Sequence, residues 1–112
     1  MIVKRNKEPF KMFIEDIVGT VITGKIVSGE VKIGDKVQIA DSSFSTEATV
    51  ISLELFRKVL DVAKKGQNVA IKLEGVDRKN LKKGMIICDP NSLKPEEIER
   101  EVQEFRTEYK IK

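Results

Sequence analysis

The chain is organised around a segment in which glycines interrupt runs of β-branched residues at regular intervals. Between residues 19 and 37, runs rich in valine, isoleucine and threonine are separated by three glycines, Gly24, Gly29 and Gly34. β-Branched residues favour extended strands, and glycine adopts the left-handed backbone conformations that tight turns require. The spacing therefore predicts a succession of short strands joined by turns.

The strand-and-turn pattern extends over residues 9–91, after a polar, lysine-bearing lead-in of residues 1–8. Apolar and polar residues alternate with a period of two, as where Ile51, Leu53 and Leu55 are separated by polar neighbours. This period places one row of side chains in a core and the other in water. Turn-forming pairs divide the runs at Ser28-Gly29, Gly34-Asp35, Asp41-Ser42, Lys65-Gly66 and Lys83-Gly84. Many short strands at this spacing predict an all-β fold, a small closed antiparallel β-barrel.

Part of the glycine segment also matches a nucleotide-binding motif. Gly19, Gly24 and Lys25 fit the start of G-x-x-x-x-G-K, but the motif then requires a serine or threonine hydroxyl for magnesium, and Ile26 follows instead. The four residues between the glycines are β-branched, so they favour a strand over a loop wrapped around phosphate. We predict a strand and a turn here, and we expect neither GTP nor ATP to bind.

Composition limits the chemistry available to the chain. Its 112 residues suffice for one domain with one small core. A core of this size leaves no room for a deep cofactor cleft, so we expect no cofactor. The sequence has no histidine and one cysteine, Cys88, so we expect no zinc site, no internal disulfide and a cytoplasmic location. No apolar run is long enough to cross a membrane, and no nucleophile, base and orienting group occur together, which predicts a protein that is not an enzyme. The net charge of +3 permits contact with nucleic acid without requiring it.

Residues 92–112 have a different pattern. Pro95 suits the first turn of a helix, and Glu96 and Glu97 suit its positive end. An apolar stripe then recurs at helical spacing, at Ile98, Val102, Phe105 and Tyr109. Because an isolated helix of this length is only marginally stable in water, the stripe must pack against something. The barrel of the same chain and a protein partner, including a second copy, are the two alternatives.

Seven short motifs follow one another through the predicted barrel, at Pro9–Phe10, Ile14–Ile17, Gly19–Gly24, Ser28–Asp35, Leu55–Asp61, Gly66–Val69 and Gly84–Met85. In this order they resemble the second domain of elongation factor Tu and its relatives, the β-barrel that follows the GTPase domain. The resemblance covers about three-quarters of the chain and ends at Ser92, where the family continues into a third domain. It implies a non-catalytic barrel of the translation-factor type that contacts transfer RNA and the small ribosomal subunit.

The resemblance also implies roles for individual residues at the end of transfer RNA. Glu15 and Asp16 would lie beside the aminoacyl group. Val21 and Thr23 would line the pocket of the terminal adenine, and Glu54 would face the ribose of that nucleotide. Carboxylates suit such positions because they accept hydrogen bonds from sugar hydroxyls.

Three further residues complete the set that the resemblance implies. Asn68 corresponds to a polar residue on the aminoacyl side, Arg57 would lie beside the pocket, and Lys83 would contact the 5′ phosphate. The family usually has a longer loop, with an aromatic side chain and a basic residue, where this chain has only Ile17 and Val18 between Asp16 and Gly19. We therefore expect RNA binding to be weak.

Four of these positions, and the chain as a whole, have alternative interpretations. Arg57 and Lys83 can be solvated turn residues without a binding role. Glu54 can be the outward member of a strand that pairs with a cross-strand lysine, and Asn68 can serve the turn before a strand. The leading prediction is a non-enzymatic module that contacts RNA, either a transfer-RNA end or the ribosome. The alternative is a protein–protein interaction adaptor that reuses the barrel scaffold.

Overall fold

Short strands joined by tight turns make up most of the fold. The computed structural model describes residues 8–109, so most of the predicted lead-in, and residues 110–112, lie outside the described part. A 3₁₀ turn at Arg78–Asn80 separates the last two strands. The strands are β1 (Lys11–Phe13), β2 (Asp16–Val18), β3 (Val21–Ser28), β4 (Glu30–Lys32), β5 (Lys36–Ala40), β6 (Ser45–Leu55), β7 (Lys58–Val59), β8 (Val62–Lys64), β9 (Asn68–Glu74) and β10 (Ile86–Cys88), and the helix is α1 (Pro95–Tyr109).

Six of the strands close into an antiparallel barrel, which confirms the predicted fold class. Their order is β1, β10, β5, β6, β9 and β3, and β1 pairs with β3 to complete the circuit. Strand β2 pairs with β3 next to this seam, and β7 forms a hairpin with β6. Strands β4 and β8 form a separate pair, of which Val31 and Ala63 are buried in the barrel core.

The glycine segment folds as its spacing predicts. Gly29 and Gly34 have φ values of +70° and +94°, in the left-handed region that turns require. Gly24 lies within β3 for a different reason, because a Cβ atom there would lie 2.2 Å from the carbonyl oxygen of Phe13 on β1. The stretch from Gly19 to Lys25 is thus a turn followed by a strand, and its second motif glycine permits the close approach of two strands.

The predicted single core is in fact two layers. The first fills the barrel with inward-facing residues such as Met12, Ile22 and Ile71. The second lies outside the barrel, between α1 and apolar side chains of β1, β5 and β10; its buried members are Phe13, Ala40, Ile86, Cys88, Ile98, Val102 and Phe105. A chain of alternating strands acquires this second layer when the outward row of a strand is also apolar.

The apolar stripe of α1 thus packs on the barrel of its own chain. Ile98, Val102 and Phe105 are buried there, whereas Tyr109 is 53% exposed and stacks on Phe105 at the end of the helix. Two polar contacts fix the helix at its sides. Lys11 Nζ on β1 lies 2.7 Å from Glu101 Oε1, and Arg106 Nη1 donates a hydrogen bond to the backbone carbonyl of Lys83, at 3.1 Å.

Candidate nucleic-acid interface

The outer face of β3, β9 and β6 carries the candidate interface, and strand register determines which side chains meet there. Thr23 on β3 lies opposite Ala70 on β9, and Ala70 lies opposite Glu54 on β6. Since residues directly opposite one another point to the same face of a sheet, these three form one row across the barrel surface. Alanine is the smallest of the three, so the row has a depression at its centre. Val21 and Lys72 form the next row.

A shallow groove of about 360 Å³ lies at this depression, and we call it the Asn68 groove. It brings together five of the eight residues to which the resemblance assigns RNA contacts: Glu15, Thr23, Glu54, Arg57 and Asn68. These residues come from β3, β6, β9 and two connecting segments. Their convergence requires β9 to lie between β3 and β6 in the sheet, because β3 and β6 do not pair with each other.

A second groove of about 430 Å³ adjoins the first, and we call it the Val21 groove. Val21 and Ile51 supply apolar surface, Lys72 supplies a positive charge, and Ser52 and Ala70 complete the lining. The expectation that Ile51 shares the core row of Leu53 is wrong, because the register shifts between Val50 and Ser52 and leaves Ile51 exposed. Glu54 lines both grooves. The Val21 groove therefore combines an apolar surface suited to a base with a carboxylate that can accept hydrogen bonds from a sugar.

The two groove carboxylates differ in their bonding. Glu15 Oε2 accepts a hydrogen bond from the backbone N–H of Lys25 at 3.1 Å, which fixes its side chain beside β3. Glu54 makes no ion pair or hydrogen bond through its side chain within residues 8–109. The residues directly opposite it are Ala70 and Val59. The cross-strand Lys72 lines the same groove, but among the described residues no ion pair joins it to Glu54, so the alternative pairing with a cross-strand lysine is not seen. Glu54 thus retains free acceptor capacity at the junction of the grooves.

Asn68 does not close the turn that precedes its strand. The side chain of Gln67 does so instead, because its Oε1 accepts a hydrogen bond from the backbone N–H of Lys64 at 2.7 Å. Asn68 is exposed as the first residue of β9, and in the described part of the chain its side chain makes no hydrogen bond. Its amide therefore remains available in the Asn68 groove.

Asp16 and Lys83 lie beside the grooves and line neither of them. Asp16 begins β2 opposite Thr23, and its Oδ1 lies 3.6 Å from the ammonium group of Lys83. Both side chains are more than half exposed, and an ion pair of this kind contributes little to stability. A phosphate can compete for the Lys83 ammonium at small cost.

The tip of the β6–β7 hairpin also borders the Asn68 groove. The sequence pattern does not predict that its turn is strained. Phe56 and Arg57 form its two-residue loop with φ values of +52° and +66°. Such a loop normally takes asparagine and glycine, and each left-handed non-glycine residue costs about 1–3 kcal/mol. Phe56 is also 90% exposed at the lip of the Asn68 groove. The sequence signal for this strained turn is a phenylalanine–arginine pair in the place between two strands where asparagine and glycine are usual.

Metal-ligating residues, helix length and the cysteine are the remaining features of residues 8–109 that bear on chemistry. No cluster of three or more potential metal ligands occurs in that range, and none of its helices is long and apolar enough to span a membrane. Burial raises the pKa of the Cys88 thiol, and a hydrogen bond with Ser92 offsets this only in part. A buried, protonated thiol is a core residue, as the sequence predicts, and a poor nucleophile.

Comparison with known families agrees with this architecture. Residues 19–88 match the family model described as elongation factor Tu domain 2. The match spans more than half of the chain and runs from the turn before β3 to the end of β10. It includes six of the eight residues with implied RNA contacts, all except Glu15 and Asp16, which precede it. The chain belongs to the elongation factor Tu domain 2 family.

Proposed function

We propose that this chain is a non-enzymatic, translation-factor-like module that acts in the cytoplasm and binds the 3′ end of an RNA of the transfer-RNA type. One observation carries the proposal. Glu54, an acceptor without a partner in the described part of the chain, lies at the junction of two grooves that contain six of the eight RNA-contacting residues implied by the resemblance. Membership of the elongation factor Tu domain 2 family supports a role in translation, because the barrels of this family are domains of translation factors.

The two grooves suit different parts of a terminal nucleotide. In the Val21 groove, Val21 and Ile51 offer apolar surface to a base. Glu54 then accepts hydrogen bonds from the 2′ and 3′ hydroxyls of the ribose. In the Asn68 groove, the Thr23 hydroxyl and the Asn68 amide offer donors and acceptors to the group that the terminal ribose carries.

Cations around the grooves suit the phosphates of the same RNA. Lys72 lies in the Val21 groove, Arg57 in the Asn68 groove, and Lys83 beside β2. Contacts of this kind hold the RNA backbone without reading sequence. With few such contacts and a net charge of +3, we expect weak binding that falls further as salt increases.

The experiment that tests the proposal compares two carboxylates on β6. Fluorescence anisotropy measures binding of a labelled transfer-RNA acceptor-stem mimic to the wild type, to Glu54→Ala and to Glu47→Ala. Glu47 is exposed on the same strand and lines neither groove. Removing a negative charge alone favours RNA, so Glu47→Ala should bind equally or slightly more tightly. Glu54→Ala should bind about tenfold more weakly, since a hydrogen bond to a charged group contributes about 1.5 kcal/mol or more. Equal behaviour of the two variants would contradict the proposal.

A second candidate function, a protein–protein adaptor, is supported by the β6–β7 hairpin. Phe56 and Val59 project there with 90% and 73% of their surface exposed, and exposed aromatic residues are common anchors of protein interfaces. The test is capture of partners from a nuclease-treated lysate by the wild type and by Phe56→Ala. Protein capture that survives nuclease and depends on Phe56, together with no RNA binding, would favour the adaptor.

A further inference from the structure

A third groove lies between the barrel and the second half of α1. Phe13, Phe105 and Tyr109 line it, and we call it the aromatic groove. Its volume is about 210 Å³. The rings of Phe13 and Phe105 stack with their centroids 4.4 Å apart, and Tyr109 stacks on Phe105 at 4.2 Å. Tyr109 is 53% exposed and Val27, which also lines the groove, is 42% exposed. The aromatic groove thus presents accessible apolar surface. Elsewhere along α1 the apolar stripe is buried against the barrel.

The rim of the aromatic groove is negatively charged, although the chain as a whole is positive. Glu15, Glu101, Glu104 and Glu108 line it, against Lys25. Glu101 is neutralised by Lys11 at 2.7 Å. Glu104 and Glu108 are exposed, and within residues 8–109 neither makes an ion pair or a hydrogen bond through its side chain. The rim therefore keeps an excess of carboxylates, which disfavours RNA phosphate and favours a cation.

We propose that the aromatic groove binds a lysine or arginine side chain on a basic segment of a protein partner. Because Phe105 is stacked between Phe13 and Tyr109, the exposed ring that can attract a cation through its quadrupole is Tyr109. Free carboxylates at the rim supply charge-assisted hydrogen bonds. A volume of about 210 Å³ suits one long side chain. A second copy joined symmetrically through this face fits poorly, because a two-fold contact would bring the same carboxylates together. The aromatic groove adjoins the Asn68 groove, since Glu15 lines both, but the proposal does not depend on RNA binding in the Asn68 groove.

The test uses the full chain and a labelled peptide in which arginine alternates with glycine, titrated by fluorescence anisotropy at low salt. The double variant Glu104→Gln/Glu108→Gln should weaken binding at least tenfold. The matched control is Glu96→Gln/Glu99→Gln, which removes the same charge from exposed positions of α1 outside the aromatic groove and should weaken binding less than threefold. Tyr109→Leu, which keeps an apolar side chain and removes the ring, should weaken binding about three- to fivefold.

Three results would overturn the proposal. Equal losses for the two double variants would mean that the peptide responds to general charge. A peptide with citrulline in place of arginine that binds as tightly would exclude cation recognition. A clear gain of affinity in Lys110→Ser/Lys112→Ser would assign the groove to the chain's own basic end and not to a partner. Circular dichroism of each variant confirms that the helix is retained.

Discussion

Replacing Phe105 by alanine removes the ring at the centre of the contact between α1 and the barrel. The ring is buried, stacks on Phe13 of β1 at 4.4 Å with an interplanar angle of 6°, and supports Tyr109 on its other side. Truncation of a buried phenylalanine costs about 3–5 kcal/mol. Because the aromatic groove borders Phe105, neighbouring side chains and water can fill part of the space, so we expect a loss of about 3 kcal/mol.

Urea denaturation followed by circular dichroism measures this loss as a lower free energy of unfolding. For a domain of this size, about 3 kcal/mol corresponds to a fall in Tm of ~12 °C. A matched control on the same helix is Gln103→Ala, which is exposed and should change the free energy of unfolding by less than about 0.5 kcal/mol. Tyr109→Ala should lie between the two, since half of the ring already faces water.

Two results would refute this reasoning. A Phe105→Ala variant as stable as Gln103→Ala would mean that α1 does not stabilise the barrel. Loss of helical signal in a separate, earlier transition of the wild type would mean that α1 and the barrel unfold as different units, and the single free energy would then not apply.

Three further outcomes follow from other parts of the structure. Gly24→Ala places a Cβ 2.2 Å from the Phe13 carbonyl oxygen and should lower the free energy of unfolding by about 3 kcal/mol or more. At Gly19, which has a φ of +62°, a Cβ meets nothing within 4 Å, so Gly19→Ala should cost only about 1–2 kcal/mol. Urea denaturation of both variants measures the difference. Burial raises the pKa of Cys88 in the folded state above its ordinary value of 9.0, so the thiol contributes stability that is present below that value and is lost as pH rises further. The difference in free energy of unfolding between the wild type and Cys88→Ala should therefore shrink from about pH 8 to pH 10, and a constant difference would contradict this. Lys83→Ala should weaken RNA binding about equally for all sequences and should lower by ~1 the slope of log affinity against log salt concentration. Lys36, which is exposed on β5, is the control, and Lys36→Ala should change the affinity and the slope less. Fluorescence anisotropy at several salt concentrations measures both variants.

The barrel could be predicted from sequence because its signals are local. Gly29 and Gly34 mark turns whatever the rest of the chain does, and alternation places Met12 or Ile71 in the core from their immediate neighbours. The second layer was harder to predict because it depends on which strands lie beneath the helix. Phe13 and Cys88 belong to different ends of the chain and become neighbours only through the pairing of β1 with β10.

The candidate site could be predicted only in part, for the same reason. The resemblance supplied Glu54 and Asn68 by position, yet their meeting in one groove depends on β9 lying between β3 and β6. Either the Gln67 or the Asn68 side chain could hydrogen-bond within the turn before β9, and turn propensity does not indicate which one does. In the structure it is Gln67. Phe56 was missed because a bulky residue with positive φ contradicts the local preference of its turn.

The most direct test of RNA-end binding is a double-mutant cycle between Glu54 and the terminal ribose. Anisotropy gives four affinities, for the wild type and Glu54→Ala, each with an acceptor-stem mimic that ends in a ribose or in a 2′,3′-dideoxyribose. If Glu54 accepts hydrogen bonds from the terminal hydroxyls, the dideoxy end should weaken wild-type binding about tenfold and should weaken Glu54→Ala binding less than twofold. The same loss in both proteins, or no loss in either, would contradict the assignment of Glu54 to the ribose.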